Sequence, residues 1–362
     1  MTRPIANARD VARVAGVSQS AVSRAFTPGA SVASATREKV LEAARSLGYR
    51  PNMIARSLIT RRSRIVGVAV GNLRNGFYPA VLEALSDRLQ AMGYHVLLFT
   101  APAQGDVDPG LQEVMRYQVD ALVLLSATLS SRLAAECRAS GIPVVLVNRV
   151  VTDDGVESVA GENRAGAARI ARFLLAGGHR RFAYVAGLSD SSTNRDREAG
   201  FREELRTARL PDPIRLAGDY DAHRAGAAAE AMFARGERVD AVFCASDHMA
   251  LAVMDAARRR GLRVPGDVSV VGFDDAAPAS LGAYDLTTYS QPIGAMVEEA
   301  VRLLATRLDP QGLSPRRAGT PSPGHVARHV VVPGELIVRG SARPPPTGLV
   351  TVDGRTVWRD DR

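Results

Sequence analysis

Gln19, Ser20, Ser23 and Arg24 bring four hydrogen-bonding side chains into six residues. On a helix they share an arc of about 140°, while Ala21, Val22, Ala25 and Phe26 take the opposite side. An arginine can donate two parallel hydrogen bonds to a guanine edge and a glutamine can bridge adenine. Serines suit either a base or a phosphate. An exposed helix face is polar whatever it meets, so the arc alone fits a solvated surface equally well.

The stretch DVARVAGVSQSAVSRAF, Asp10 to Phe26, supplies the elements that would hold this arc in place. Ser18 is placed to cap the second of two helices, and Gly16 stands at a turn position that favours positive φ. With Ser18 as the cap, Val17 and Val22 have the spacing of a hydrophobic staple. The pattern predicts a helix-turn-helix whose second helix offers its polar arc to the major groove of DNA. SATREKVLEAARSLGY predicts a third helix, with Val40, Leu41, Ala44 and Leu47 closing a small core and Gly48 as its stop. Arg37 and Lys39 read equally as phosphate contacts or as solvated charge.

Charge separates the alternatives. Residues 1–64 hold 12 Lys and Arg against 3 Asp and Glu, while the 362-residue chain holds 46 against 38. All of the excess positive charge therefore sits in the first sixth of the chain, the footprint of a polyanion partner. Arginine replaces lysine almost everywhere, but that preference does not explain a local scarcity of acids. In RPNMIARSLITRRSR, residues 50–64, Leu58 and Ile59 are apolar within a basic linker. They pack on the next domain, or they belong to a short helix that wedges Leu58 between base pairs in the minor groove. A helix of about eight residues would form only on binding.

With RIVGVAV following, these stretches resemble the lactose-repressor (LacI/GalR) family of bacterial transcription regulators, across nearly the whole chain to about Arg343. The resemblance implies that Gln19 and Ser20 occupy the two main base-reading positions, with Ser18, Ser23 and Arg24 beside them. It implies a hinge helix that includes Ala55 and the wedge Leu58, with Asn52 also at the DNA. Ala33 departs from the family pattern, which has Ser or Thr there as the third helix's cap; Ser34 is the candidate replacement.

From Ile65 onward, the apolar runs RIVGVAV, HVLLF, ALVLLSA and PVVLVN alternate with the helical patterns Pro79–Met92, Gly110–Tyr117 and Ser131–Ser140. The rhythm repeats through Asn163–Ala176, RFAYVAG, Arg195–Arg209, Ala222–Arg235, AVFCAS, Met249–Arg260 and VSVVGFDD. Buried runs between amphipathic helices indicate parallel sheets with crossovers, and two such halves indicate two lobes with a cleft. Ligands of open parallel sheets sit beyond the carboxyl ends of the strands. Phe77, Tyr78, Asn148, Asp247 and Asp274 lie at such ends, and Arg197 lies near the start of a helix. Carboxylates, an amide, a guanidinium and flat rings suit a sugar-like ligand. Asp247 fits a helix cap equally well, and Tyr78 fits the core. The resemblance implies that the positions of Phe77, Tyr78, Asn148, Arg197, Tyr220, Asp247 and Asp274 line an effector cleft. Glu162-Asn163 stands where relatives often carry Asp-Asn.

No nucleophile motif, P-loop or dinucleotide fingerprint occurs. His325 and His329 lie in or beside a loop without helical spacing, and Asp274-Asp275 would point to opposite faces of a strand. Neither catalysis, a metal nor a cofactor is expected. An enzyme or a free sugar receptor would explain the cleft but not the basic head. Cys137 and Cys244 are too few for a disulfide framework, and no apolar run reaches membrane-spanning length. With no apolar leader, a cytoplasmic protein is expected. The expected fold is an N-terminal all-α helix-turn-helix domain (1–50), a hinge (51–64), an α/β two-lobed periplasmic-binding-protein-like domain with parallel sheets (65–343), and a tail (344–362). Residues 309–325 read as an inserted loop, and the tail shows no heptad repeat. The expected function is a repressor of pseudo-palindromic double-stranded DNA, acting as a homodimer under allosteric control by a sugar or sugar derivative.

Overall fold

The computed structural model describes residues 6–27, 29–50, 62–100, 108–126, 130–150, 156–308 and 327–360. The chain divides into two units, Met1–Ser63 and Arg64–Arg362.

In the first unit, Asn7 caps α1 (Ala8–Ala15) by accepting from Arg9 N and Asp10 N, while the Asp10 carboxylate reaches back to Asn7 N at 3.0 Å. Gly16 ends the helix at φ 66°, where a side chain would be strained. Ser18 accepts from Ala21 N at 3.2 Å and starts α2 (Gln19–Ala25). In α3 (Ser34–Leu47) the stripe facing the other two helices is Val40, Ala43 and Ala44, joined by Leu47. Leu41, expected in this core, is 36% exposed because it lies one residue, about 100°, around the helix from Val40. Ala33 is the cap residue of α3 and makes no side-chain cap bond, so Ser34 does not replace the missing cap. Arg37 has a further role that its position in the sequence does not reveal: its guanidinium donates to the carbonyls of Ala25 (2.6 Å) and Ala30 (3.2 Å) and ties down the end of α2.

The second unit contains two sheets. One runs in the order β11-β5-β4-β3-β1-β2 and is parallel throughout. Its strands are β1 (Ile65–Val70), β2 (His95–Thr100), β3 (Ala121–Leu125), β4 (Val144–Val147), β5 (Glu157–Gly161) and β11 (His329–Val332). They alternate with α4 (Phe77–Ala91), α5 (Asp108–Arg116) and α6 (Ser131–Ala139). The other sheet runs β13-β14-β12-β10-β9-β8-β6-β7. Its parallel part is β6 (Phe182–Ala186), β7 (Ile214–Ala217), β8 (Ala241–Cys244), β9 (Ser269–Asp274) and β10 (Thr287–Ser290). Around it stand α7 (Asn163–Ala176), α8 (Ser192–Thr207), α9 (Ala222–Ala234) and α10 (Asp247–Arg259).

The two lobes are not simply consecutive halves. After β10 the chain returns to the first lobe, where α11 (Ile293–Ala305) buries Met296, Val297, Ala300 and Leu304 in the same core as Val81, Leu85 and Val145. It then adds β11 there and crosses back for β12 (Glu335–Ile337), β13 (Leu349–Val352) and β14 (Arg355–Trp358). These last three strands pair antiparallel, so the second sheet is not wholly parallel. The segment expected as a tail from residue 344 is thus part of the second lobe, with Trp358 buried edge-on against Phe173 at 5.8 Å. The three crossings touch one another: Tyr289 OH donates to Glu162 and accepts from Gly334 N. A Cβ on Gly161 would lie 2.6 Å from Gln291 Oε1, so that crossing admits only glycine without displacement. No helix among the described residues is long and apolar enough to cross a membrane.

Candidate DNA-reading helix and ligand cleft

On α2 the sequence divides as its spacing predicts. Val22 and Ala25 are buried, and Ser18, Gln19, Ser20, Ser23 and Arg24 are exposed. Ser18 is committed to capping and to its neighbour Ser20, with the two hydroxyl oxygens 2.9 Å apart. Gln19, Ser23 and Arg24 leave their side-chain donors on the open face. Arg24 has no carboxylate within ion-pair distance among the described residues, so its fork is available to an outside acceptor. Asn52, Ala55 and Leu58 lie outside the described residues, as does the 309–325 stretch.

In the second unit, Asn72, Asn75, Tyr78, Ser126 and Asn148 of the first lobe face Thr193, Arg197, Tyr220 and Asp274 of the second. Together they line a cavity of about 230 Å³, its mouth included. The mouth accounts for nearly all of that volume: the enclosed space has room for about one water molecule, so a ligand of metabolite size needs the lobes further apart. Direct bonds close the lobes over it. Asn75 donates to Asp274 at 3.1 Å, Asn72 to the Tyr220 carbonyl at 3.4 Å, and Arg149 to Thr193 at 3.1 Å.

The strand ends hold these groups by unusual backbone. Ser126 after β3, Asn148 after β4, Tyr220 after β7 and Asp274 ending β9 all have positive φ: 58°, 59°, 55° and 120°. Non-glycine residues in such regions cost on the order of 1–3 kcal/mol each, and their clustering marks a functional site. Gly187 leaves room for Tyr220, whose ring occupies the place of a Cβ there.

Arg197 is 1% exposed and fully engaged. Its Nε donates to Asn163 (2.8 Å), Nη1 to the Ala245 carbonyl (2.5 Å) and Nη2 to Asp274 (3.4 Å), and its guanidinium lies 3.7 Å above the Phe273 ring. Asp274 also accepts from Gln291 at 2.6 Å. Burial pushes the Asp274 carboxyl above the ordinary range; Arg197, Asn75 and Gln291 pull it back. Burial raises the Tyr78 hydroxyl, which accepts from Asn148 at 3.2 Å and stays a neutral donor.

Two expected site residues do not line the cavity. Phe77 is wholly buried in the first lobe's core beneath Tyr78, with ring centroids 5.2 Å apart. Asp247 sits behind Asp274, accepting from Thr288 Oγ1 (2.5 Å) and Ala276 N (2.7 Å), and so is a cross-link rather than a helix cap or a lining group. Burial and the neighbouring Asp274 push its carboxyl up to about 7. Conversely, Asn72, Asn75, Ser126 and Thr193 line the cavity without having been singled out. Asn72, Asn75 and Ser126 follow β1 and β3, so the strand-end rule was signal enough to find them. Among the described residues no group of His, Cys, Asp and Glu side chains is placed to hold a metal.

Residues 7–52 match the family model for bacterial regulatory proteins, lacI family, and residues 171–342 match a periplasmic binding protein-like domain. Catabolite control protein A of Priestia megaterium is 31% identical over 299 residues, 82% of this chain and 90% of that one. The chain belongs to the lacI family.

Among solved structures, a lac repressor dimer bound to operator and the anti-inducer ONPF is 27% identical, with a TM-score of 0.80 over 93% of this chain and 99% of that one. A complex of the transcriptional regulator CelR with cellobiose is 31% identical, with a TM-score of 0.67 over 94% and 100%. This lacI-family chain is therefore a DNA-binding transcriptional regulator with an effector-binding domain, not an enzyme.

Proposed function

We propose that this regulator represses transcription as a homodimer on a pseudo-palindromic operator, and that a sugar-like effector in the cleft sets its affinity for DNA. One observation carries the reading: a polar cavity is lined by both lobes, so whatever fills it bears on how the lobes close. The lining supplies what a polyhydroxylated ring needs: a carboxylate acceptor at Asp274, amides at Asn72, Asn75 and Asn148, hydroxyls at Ser126 and Thr193, and rings at Tyr78 and Tyr220. The relative solved with cellobiose supports the sugar, and the relative solved as a dimer on operator supports twofold DNA binding. Gln19, Ser20 and Arg24 are the base-reading residues in this reading, with Ser18 and Ser23 beside them. Asn52, Ala55 and Leu58 form the hinge contacts.

A coupling of ~1–3 kcal/mol between the two sites changes operator affinity roughly 5- to 150-fold. The test selects a binding site from random duplexes and follows its anisotropy during titration, with and without a panel of sugars. The expected result is a shift of that size with at least one sugar, abolished in Asp274→Ala while DNA binding persists. Operator affinity that ignores every cleft ligand would overturn the reading, and sedimentation as a monomer at operator-binding concentrations would overturn its twofold part.

A further inference from the structure

We propose that the effector carries an oxyanion, a carboxylate or a phosphoryl group, that docks on the Ser126 and Thr193 hydroxyls, with the Arg149 guanidinium behind them as its counter-charge. This rests on the proposed function and names the ligand class for its cleft. Arg149 follows Asn148 at the end of β4 and is 4% exposed. Its Nη1 donates to Thr193 Oγ1 at 3.1 Å and its Nη2 to Ser126 Oγ at 3.4 Å; both hydroxyls line the cavity, and Arg149 stands behind them without lining it. Its Nε is buried without a hydrogen-bond partner, and among the described residues no carboxylate is within ion-pair distance.

The contrast with Arg197 is informative. That guanidinium has a carboxylate, an amide, a carbonyl and an aromatic face around it. Arg149 is 4% exposed and, among the described residues, has two hydroxyls for partners. A guanidinium removed from water without a counter-charge is heavily penalised. Its surroundings deepen the problem, because Thr193 belongs to the first turn of α8, whose backbone N–H groups, one of them capped by Ser191, make a positive end. No acidic residue stands in that turn. Two positive features therefore converge beside one cavity, and an oxyanion between them would satisfy both. Asn148 Oδ1, next in the chain, is buried without a donor. A hydroxyl beside the oxyanion would supply that donor. Oxyanion plus neighbouring hydroxyl describes a sugar acid or a sugar phosphate.

The test follows thermal melting of the full chain with inorganic phosphate, gluconate and glucose 6-phosphate. Each is set against sodium chloride of equal ionic strength and against neutral glucose. At least one oxyanion is expected to raise the melting temperature saturably and more than glucose does. Response to gluconate alone assigns the carboxylate, and response to glucose 6-phosphate and phosphate assigns the phosphoryl group. Arg149→Met should shift the midpoint by at least about tenfold, the loss of the nearby counter-charge, while Arg149→Lys keeps part of the response. Ligand-free Arg149→Met should melt no lower than the parent, since it removes a buried unpaired charge; a large drop would make Arg149 a structural clamp and overturn the inference. So would oxyanions no better than chloride, or a response undiminished in Arg149→Met. A neutral sugar bound through Asp274 with oxyanions silent would overturn the oxyanion and leave the cleft reading intact. Oxyanion binding that never alters operator affinity would do the reverse.

Discussion

Asp247→Asn should stabilise the effector-binding domain at pH 8 and have much less effect at pH 5. Asp247 is fully buried with a carboxyl pushed up to about 7, first by burial and then by the charge of Asp274. Its folded value lies above its unfolded one, so the native state holds a proton that the unfolded chain gives up. Stability from that proton is complete below the unfolded value near 3.8 and drains away as pH rises towards 7. Between pH 5 and pH 7 the loss spans two units, about 3 kcal/mol. Asparagine keeps the geometry: its carbonyl accepts from Ala276 N, and its amide donates to Thr288, whose hydroxyl can turn to accept. It has no proton to lose. Wild type and variant are melted at both pH values, and the variant's advantage should grow by roughly 5 °C from pH 5 to pH 8, at roughly 2 °C per kcal/mol for a unit this large. An advantage equal at both pH values, or a variant weaker at pH 8, would refute the assignment of this burial cost to Asp247.

Ala33→Ser should add the side-chain cap that α3 lacks and stabilise the isolated head by about 1 kcal/mol; an unchanged chemical-denaturation midpoint would count against it. Trp358→Ala removes a ring buried against Phe173 and the Nε1 bond to the Thr347 carbonyl, and should cost about 3–5 kcal/mol in denaturant unfolding of the effector-binding domain. A loss under 1 kcal/mol would mean the C-terminal hairpin is dispensable. Arg24→Ala should lower operator preference over random DNA by ~1–3 kcal/mol in competition binding; equal loss on both would make Arg24 a phosphate contact.

Much of this protein is legible in the chain because the deciding interactions are local. Ser18 caps α2, Gly16 and Gly48 end their helices, and Asn163–Ala176 forms the helix that its periodicity predicts. Strand-end reasoning reached Tyr78, Asn148 and Asp274, since the end of a buried run can be read from composition. It could not rank residues within a strand end. Phe77 and Tyr78 are adjacent, and only packing decides which ring is core and which faces the cavity.

What tertiary structure alone decided depends on partners far apart in sequence. Asn75 meets Asp274 across 199 residues, and nothing local to either predicts the bond. Thr287 and Thr288 are polar, and it is pairing with β9 that buries them. The segment after residue 292 contributes α11 and β11 to the first lobe and three strands to the second, because each finds its missing apolar or hydrogen-bonding face there. Periodicity specifies which face of an element is apolar. Which other face covers it, and which charges are stranded when it does, is settled only when the whole chain has closed.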